Sequence, residues 1–103
     1  METARIVSVF EALGQQTRLD ALQLLLKHEP EGLSSGDVAR KLKIPQNTMS
    51  SHLATLSRAG LVRKQKRSRF VIYHANRVQL KNSLSFIVKQ LVEATKSAGS
   101  RSA

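Results

Sequence analysis

The sequence predicts a mainly α-helical domain of about five helices that carries one small β-hairpin. Through most of the chain, apolar residues recur three and four positions apart, which is the spacing of a helix with one buried face. Between residues 61 and 74 that period gives way to two runs of β-forming residues, "LVRKQK" and "FVIYH", on either side of "RSR". A length of 103 residues fits one domain that buries a little over ~60% of its unfolded surface, so a second subunit would help to stabilise it.

The first helix is predicted over about residues 3–13. Ile6, Phe10 and Leu13 follow each other at i, i+4 and i+7, which is one face of a helix. Gly14 is placed to end it. The chain therefore begins with a short amphipathic helix.

The second and third helices each begin at a predicted capping pair, in which a hydroxyl accepts from a backbone N–H and an acid follows three residues later. Thr17 and Asp20 form the first pair, and the second helix ends before the loop "HEPEG". Its inward-facing residues are predicted to be Leu19, Leu22, Leu25 and Leu26. Ser34 and Asp37 form the second pair, ahead of a third helix of about residues 35–42.

The stretch "PQNTMSSHL" opens a fourth helix that ends at Gly60. Met49, Leu53 and Leu56 form its apolar stripe, and short polar side chains cover the rest of its first turns. These candidate DNA-binding residues are Gln46, Asn47, Thr48, Ser50, Ser51 and His52. With the third helix and a short connection they form a helix-turn-helix, whose second helix enters the major groove and presents its first residues to base edges.

The hairpin after the fourth helix is interpreted as a cationic wing. Lys64, Lys66, Arg67 and Arg69 lie on or beside it, next to the groove that the helix would occupy. Cations placed there can neutralise phosphates or enter the minor groove. An edge hairpin kept soluble by Lys and Arg is the alternative, but the position directly after a helix-turn-helix favours contact with DNA.

A last helix is predicted over about residues 77–95, followed by a disordered tail at residues 97–103. Its apolar residues step by four, three and four, as in a coiled-coil seam, and are Leu80, Leu84, Ile87 and Leu91. Because the core is small, we expect this seam, with Ile6 or Phe10 of the first helix, to pair with a second copy. Residues 1–96 would then form one DNA-binding and dimerisation domain.

The net charge of +10, from 17 Lys and Arg against 7 acids, predicts a polyanionic partner. From Val38 to Val92 the chain holds twelve basic residues and no acid. Charge alone leaves nucleic acid, anionic lipid and acidic protein open, and the helix-turn-helix favours double-stranded DNA. No apolar run approaches the ~18 residues of a membrane span, and the N-terminus lacks a signal-peptide pattern. A cytoplasmic protein without a membrane partner is therefore expected.

Metal binding and catalysis are not expected from the residue types present. The absence of cysteine excludes disulfides and thiolate metal sites within this chain. His28, His52 and His74 follow no short metal-ligand spacing, although a site shared across a dimer remains open. There is no Gly-rich phosphate loop, no paired carboxylates at a useful spacing and no nucleophile with an evident base. We therefore expect no enzymatic activity and no cofactor.

Three stretches resemble the ArsR/SmtB-type winged helix-turn-helix repressors, namely "FEALGQQTRLDALQLLL", "IPQNTMSSHLATLSRAGLV" and "RKQKRSRFVIYH". The resemblance covers about residues 5–92. It implies a homodimer clasped by its first and last helices, which represses its target by covering the promoter. It also implies that the wing residues Arg67 and Arg69 reach flanking DNA. The resemblance further implies that bases and nearby phosphates are contacted by Gln46, Asn47, Ser50 and Ser51.

The chain departs from that family at its metal sites and at the wing tip. Ser34 and Gly36 stand where many members carry a Cys-x-Cys metal-binding pair. Other members bind zinc through Asp, His and Glu on the last helix, where Glu93 is the only such residue in this chain. Ser68 replaces the Gly that is usual before the second wing Arg, so a different turn is expected there. Neither of the family's metal sites is predicted.

The sequence therefore predicts a homodimeric, sequence-specific DNA-binding repressor of winged helix-turn-helix fold that binds an inverted-repeat operator. An unknown small-molecule effector remains open. The alternative is a nonspecific nucleoid-type or RNA-binding module that uses the same basic surface without reading bases. Such a module would favour Lys and Arg on the face where this chain carries Ser, Asn and Gln.

Overall fold

The computed structural model describes residues 3–93, which form five α-helices and a three-stranded antiparallel sheet. The helices are α1 (Thr3–Leu13), α2 (Gln16–Lys27), α3 (Ser35–Leu42), α4 (Gln46–Arg58) and α5 (Arg77–Ile87), and α5 continues into a π-helical segment, Val88–Glu93. The strands are β1 (Leu33–Ser34), β2 (Val62–Arg67) and β3 (Phe70–Ala75). This arrangement confirms the predicted winged helix-turn-helix fold. The predicted tail and the end of the predicted last helix lie outside the described residues.

Helix α4 lies against the core with the stripe that its spacing predicts. Met49, Leu53 and Leu56 are fully buried. They belong to one cluster with side chains from α1, α2, α3 and the base of the hairpin, including Val9, Leu25, Val38, Leu61 and Val62. Full burial of a side chain such as Leu53 contributes roughly 1.5–3 kcal/mol. The stripe therefore fixes which face of α4 points away from the domain.

The sheet contains one strand more than the predicted two. Its order is β1–β3–β2, and β1 adds only two pairs, Leu33 with Tyr73 and Ser34 with Ile72. A two-residue strand is too short to show alternation in a sequence, and Ser34 also caps α3. The strand attaches the base of the wing to the beginning of the helix-turn-helix.

The N-terminal half of α2 differs from the prediction. Gln15, not Thr17, caps the helix, because its side-chain oxygen accepts from the Arg18 backbone N–H at 2.9 Å. Asp20 instead accepts from the Gln16 side chain at 2.9 Å. Leu19, which we predicted to face inward, is 40% exposed. The inward face is centred among Ala21, Leu22 and Leu25, and at 3.6 residues per turn Leu19 lies about 115° from that centre.

The wing ends in a two-residue turn. Arg67 pairs with Phe70, so Ser68 and Arg69 alone connect β2 to β3. Ser68 has a φ of 56°, in the left-handed region that favours glycine. A non-glycine residue there costs about 1–2 kcal/mol. Glycine, which is usual at this position in the family that the chain resembles, would therefore adopt this conformation more easily than Ser68.

Candidate nucleic-acid interface

The connection between α3 and α4 is a tight turn with backbone hydrogen bonds. Ser34 Oγ accepts from the Asp37 backbone N–H at 3.1 Å, which confirms the predicted cap of α3. Helix α3 ends at Leu42 and is capped by Lys43, whose φ of 58° is left-handed. The Ile44 N–H then donates to the Ala39 carbonyl at 2.9 Å. Helix α4 begins two residues later, so the two helices are joined with little freedom between them.

An acid reduces the positive charge at the exposed surface of α3. Arg40 Nη2 lies 2.7 Å from Asp37 Oδ1. This hydrogen bond is the largest cause that lowers the pKa of the Asp37 carboxyl, and the charges of Arg40 and Lys41 lower it further against the opposing effect of desolvation. Arg40 is therefore already paired with an acid, whereas Lys41 and Lys43, beside it, are exposed.

The first turns of α4 present the predicted polar residues to solvent. Gln46, Asn47, Thr48 and Ser51 are exposed, and Ser50 is half-buried. Pro45 precedes the helix and makes no side-chain cap. Asn47 Oδ1 accepts from the Thr48 backbone N–H at 2.9 Å, which orders the Asn47 side chain at the helix start. The structure thus brings these five residues together at one exposed end of α4.

The Gln46 side chain also lies against α3. A Cβ added at Gly36 would lie 3.6 Å from the amide atoms of Gln46. A side chain at position 36 would therefore be in ordinary van der Waals contact with the glutamine that reaches back from α4. Position 36 is one of the two that carry a metal-binding cysteine in many members of the family that this chain resembles. In this chain it borders the end of α4 that is predicted to read bases.

His52 differs from the other predicted recognition residues because it is half-buried and faces Arg18. Its Nδ1 lies 3.4 Å from Arg18 Nη1. Arg18 also donates from Nε to the Ala12 carbonyl at 2.7 Å and from Nη2 to the Glu11 carbonyl at 3.1 Å. One guanidinium therefore joins the C-terminal end of α1 to α4. Arg18 could not be identified from the sequence, because 34 residues separate it from His52 and no local pattern links them.

The four predicted wing cations are all exposed. Lys64 and Lys66 pair across the hairpin with Tyr73 and Val71, so they share one face of it. Arg67 is on the opposite face, and its Nη2 donates to the Glu31 carbonyl at 3.3 Å. A phosphate contact by Arg67 would compete with this hydrogen bond. The remaining cation, Arg69, lies in the turn.

The base of the wing is fixed by a buried histidine, His74, for which the sequence predicted no contact within the chain. His74 is 2% exposed, and its Nδ1 lies 3.1 and 3.2 Å from the two carboxylate oxygens of Glu29. Its Nε2 lies 3.0 Å from Gln65 Oε1. Glu29 also accepts from the Ala75 backbone N–H at 3.3 Å. The imidazole therefore joins both wing strands to the loop after α2.

An exposed apolar surface runs along α1 and α5. Phe10 is 42% exposed, Leu84 43% and Leu91 59%, whereas Leu80 and Ile87 are half-buried. A groove of about 710 Å³ lies between α2 and α5, lined by apolar side chains that include Leu26, Leu80, Leu84 and Val88. We call Phe10, Leu84, Ile87 and Leu91 the apolar seam.

Two details of this surface differ from the pattern in the sequence. Ile6 is buried within the single chain and is not part of the apolar seam. After Ile87 the backbone becomes π-helical. Because a π-helix has i→i+5 hydrogen bonds and a wider turn, Leu91 does not continue the α-helical step of the residues before it.

Residues 3–93 contain no group of three or more His, Cys, Asp or Glu side chains that could hold a metal ion. Within the same residues, no helix is both long and apolar enough to span a membrane.

Comparison with known proteins identifies the family. A sequence model described as a helix-turn-helix domain matches residues 13–65, which is half of the chain. The transcriptional activator HlyU of Vibrio cholerae is 30% identical over 92 residues, which are 89% of this chain and 82% of HlyU. The transcriptional repressor SdpR of Bacillus subtilis is 27% identical over 81 residues, which are 79% of this chain and 87% of SdpR.

A solved structure agrees with these sequence matches. The ArsR-like transcriptional regulator from Rhodococcus sp. RHA1 superposes with a TM-score of 0.79 at 26% identity, covering 94% of this chain and 89% of that one. The resemblance found in the sequence is thereby confirmed. The protein is a DNA-binding transcriptional regulator, and it belongs to the ArsR family of winged helix-turn-helix proteins.

Proposed function

We propose that this regulator is a sequence-specific repressor that binds an inverted-repeat operator as a homodimer. The observation that carries the proposal is the polar end of α4, exposed by the burial of Met49, Leu53 and Leu56 on its other side. The cationic wing begins at Val62, shortly after α4 ends at Arg58. A base-reading surface and a phosphate-binding surface are therefore adjacent.

The residues of this interface have different proposed roles. Gln46 and Asn47 carry amides that can pair bidentately with adenine in the major groove. Thr48, Ser50 and Ser51 carry hydroxyls that suit bases or nearby phosphates. We place His52 at the edge of this surface, where its Nδ1 lies 3.4 Å from the Arg18 guanidinium that also contacts the C-terminal end of α1. The proposed wing contacts to DNA are Lys64, Lys66, Arg67 and Arg69.

The proposed dimer rests on the apolar seam. Phe10, Leu84 and Leu91 expose between about two fifths and three fifths of their surface in the single chain. Pairing of two seams about a two-fold axis would cover these side chains and place two copies of α4 one helical turn of DNA apart. An inverted repeat follows from that symmetry. The domain that binds DNA and forms the dimer would extend over residues 1–96.

The two named relatives differ in the direction of their regulation. The name of SdpR describes a repressor and that of HlyU an activator. We propose repression, in which the dimer occupies promoter DNA and excludes polymerase. A reporter gene placed behind the operator should be expressed less when the protein is present, and a rise in expression would correct the sign alone.

Selection of bound duplexes from a random-sequence pool tests the DNA-binding part of the proposal. The selected duplexes should share an inverted repeat, and a footprint should show two half-sites about 34–36 Å apart. The alternative, a nonspecific nucleoid-type or RNA-binding module, predicts no enriched sequence and equal competition by RNA. Gln46→Ala should weaken binding to the selected duplex, whereas Gln23→Ala, an exposed glutamine on α2, serves as the matched control.

A further inference from the structure

The tip of the wing carries an exposed aromatic side chain that the roles given above do not use. Phe70 is 57% exposed and is the first residue of β3. The guanidinium carbon of Arg69 lies over its ring, 5.7 Å from the centroid. Isolated exposed apolar residues are common in folded proteins, so what distinguishes Phe70 is its position.

That position is at the end of the hairpin, beyond the strand that supports it. β1 pairs only with Ile72 and Tyr73 of β3. At Phe70, β3 therefore has β2 on one side and no strand of residues 3–93 on the other. The ring can meet a flat or grooved surface without any movement of the domain core.

The charged residues around the Phe70 ring indicate what kind of partner surface the ring could contact. No acid occurs in the sequence between Val62 and Ala75, while five Lys and Arg residues occur there. Arg67 lies directly across the hairpin from Phe70, and Arg69 lies on the ring itself. An apolar ring with the Arg69 guanidinium over it, on a hairpin tip that carries no acid, fits a partner with apolar walls and negatively charged edges. The minor groove of DNA has this form, since its sugars line the walls and its phosphates line the rims.

Building on the DNA-binding function proposed above, we propose that Phe70 contacts DNA, with its ring packed against the deoxyribose wall of the minor groove that flanks the site of α4. Arg69, held on the ring by the cation–π contact, neutralises a phosphate at the rim of the same groove. The wing then contributes an apolar contact in addition to its charge.

The salt dependence of binding separates these two contributions. Binding to the selected duplex is measured by fluorescence anisotropy at several KCl concentrations. Phe70→Ala should weaken binding about tenfold at every salt concentration, because loss of an apolar contact releases no counterions. Arg69→Ala should instead reduce the slope of log affinity against log salt by about 0.9 per wing.

Two variants serve as controls for the loss of the ring. Phe70→Tyr keeps the ring and should bind within about twofold of wild type. Val71→Ala removes an exposed side chain from the neighbouring position on the other face and should do the same. Wild-type affinity in Phe70→Ala would overturn the inference and leave the proposed function standing. If wild type binds no duplex at all, both fail.

A tryptophan at position 70 gives a direct readout. The chain has no tryptophan, so Phe70→Trp contains a single one. In a complex whose saturation is confirmed by anisotropy, the indole should be shielded from acrylamide. Saturating the duplex first with a minor-groove-binding oligopyrrole should remove that shielding. An indole that stays equally quenchable in the saturated complex, or shielding that survives the oligopyrrole, would contradict the placement of Phe70 in the minor groove.

Discussion

Removal of the His74 imidazole tests how the wing is fixed to the rest of the domain. The ring is 2% exposed, with Nδ1 3.1 Å from Glu29 Oε2 and Nε2 3.0 Å from Gln65 Oε1. A hydrogen bond to a charged group contributes about 1.5–3 kcal/mol, and truncation of a buried side chain adds the cost of a cavity. We expect His74→Ala to lower the free energy of unfolding by about 2–4 kcal/mol. Small domains have only roughly 5–15 kcal/mol in total.

Urea unfolding followed by circular dichroism measures this change, at one protein concentration because dimerisation would make stability depend on it. A double-mutant cycle with Glu29→Ala should give a coupling energy of about 1–3 kcal/mol. His28→Ala, a half-buried histidine at the end of α2, is the matched control and should cost less than about 1 kcal/mol. A coupling energy near zero between His74 and Glu29 would refute the reasoning.

The apolar seam, the missing metal ligands and the Asp37 carboxyl each support a further prediction. Leu84→Glu places a charge in the seam, so sedimentation should show a monomer and operator affinity should fall more than nonspecific affinity; a monomer with full operator affinity would contradict the two-fold arrangement. Because Ser34 and Gly36 replace thiolate ligands, stoichiometric zinc, cadmium or arsenite should leave DNA affinity within about twofold, whereas regulatory coupling is typically about 1–3 kcal/mol. A tenfold loss reversed by a chelator would reveal an unrecognised site. The pKa of Asp37 is lowered chiefly by Arg40, so its contribution to stability is present above the ordinary carboxyl pKa and is lost as the pH falls through the lowered value. Asp37→Asn should therefore reduce the loss of stability in acid, and an unchanged acid transition would count against that role.

Local patterns predicted most of the fold. The stripe of Met49, Leu53 and Leu56 is a matter of spacing along one helix, and burial of all three follows from it. The prediction of Thr17 as the cap of α2 was wrong, because neighbouring side chains compete for the same backbone N–H groups. Gln15 occupies the N-cap position instead. Helix ends are therefore less certain from sequence than helix faces.

Long-range contacts could not be predicted in the same way. His74 is separated from Glu29 by 45 residues, and no local spacing reports that a fold brings them together. An amphipathic pattern also shows that a face is apolar without showing what covers it. For that reason Ile6 and Phe10, predicted together, are separated by the fold, the first into the core and the second to the surface.

Sequence discrimination by the exposed end of α4 is the central claim, and the affinity ratio between the selected duplex and a random duplex at one salt concentration tests it most directly. Wild type should prefer the selected duplex by at least about 10³-fold. Asn47→Ala should lower that ratio about tenfold or more by losing a bidentate base contact, while affinity for the random duplex stays nearly constant. A wild-type ratio near one, or an equal loss on both duplexes in Asn47→Ala, would contradict base reading by α4.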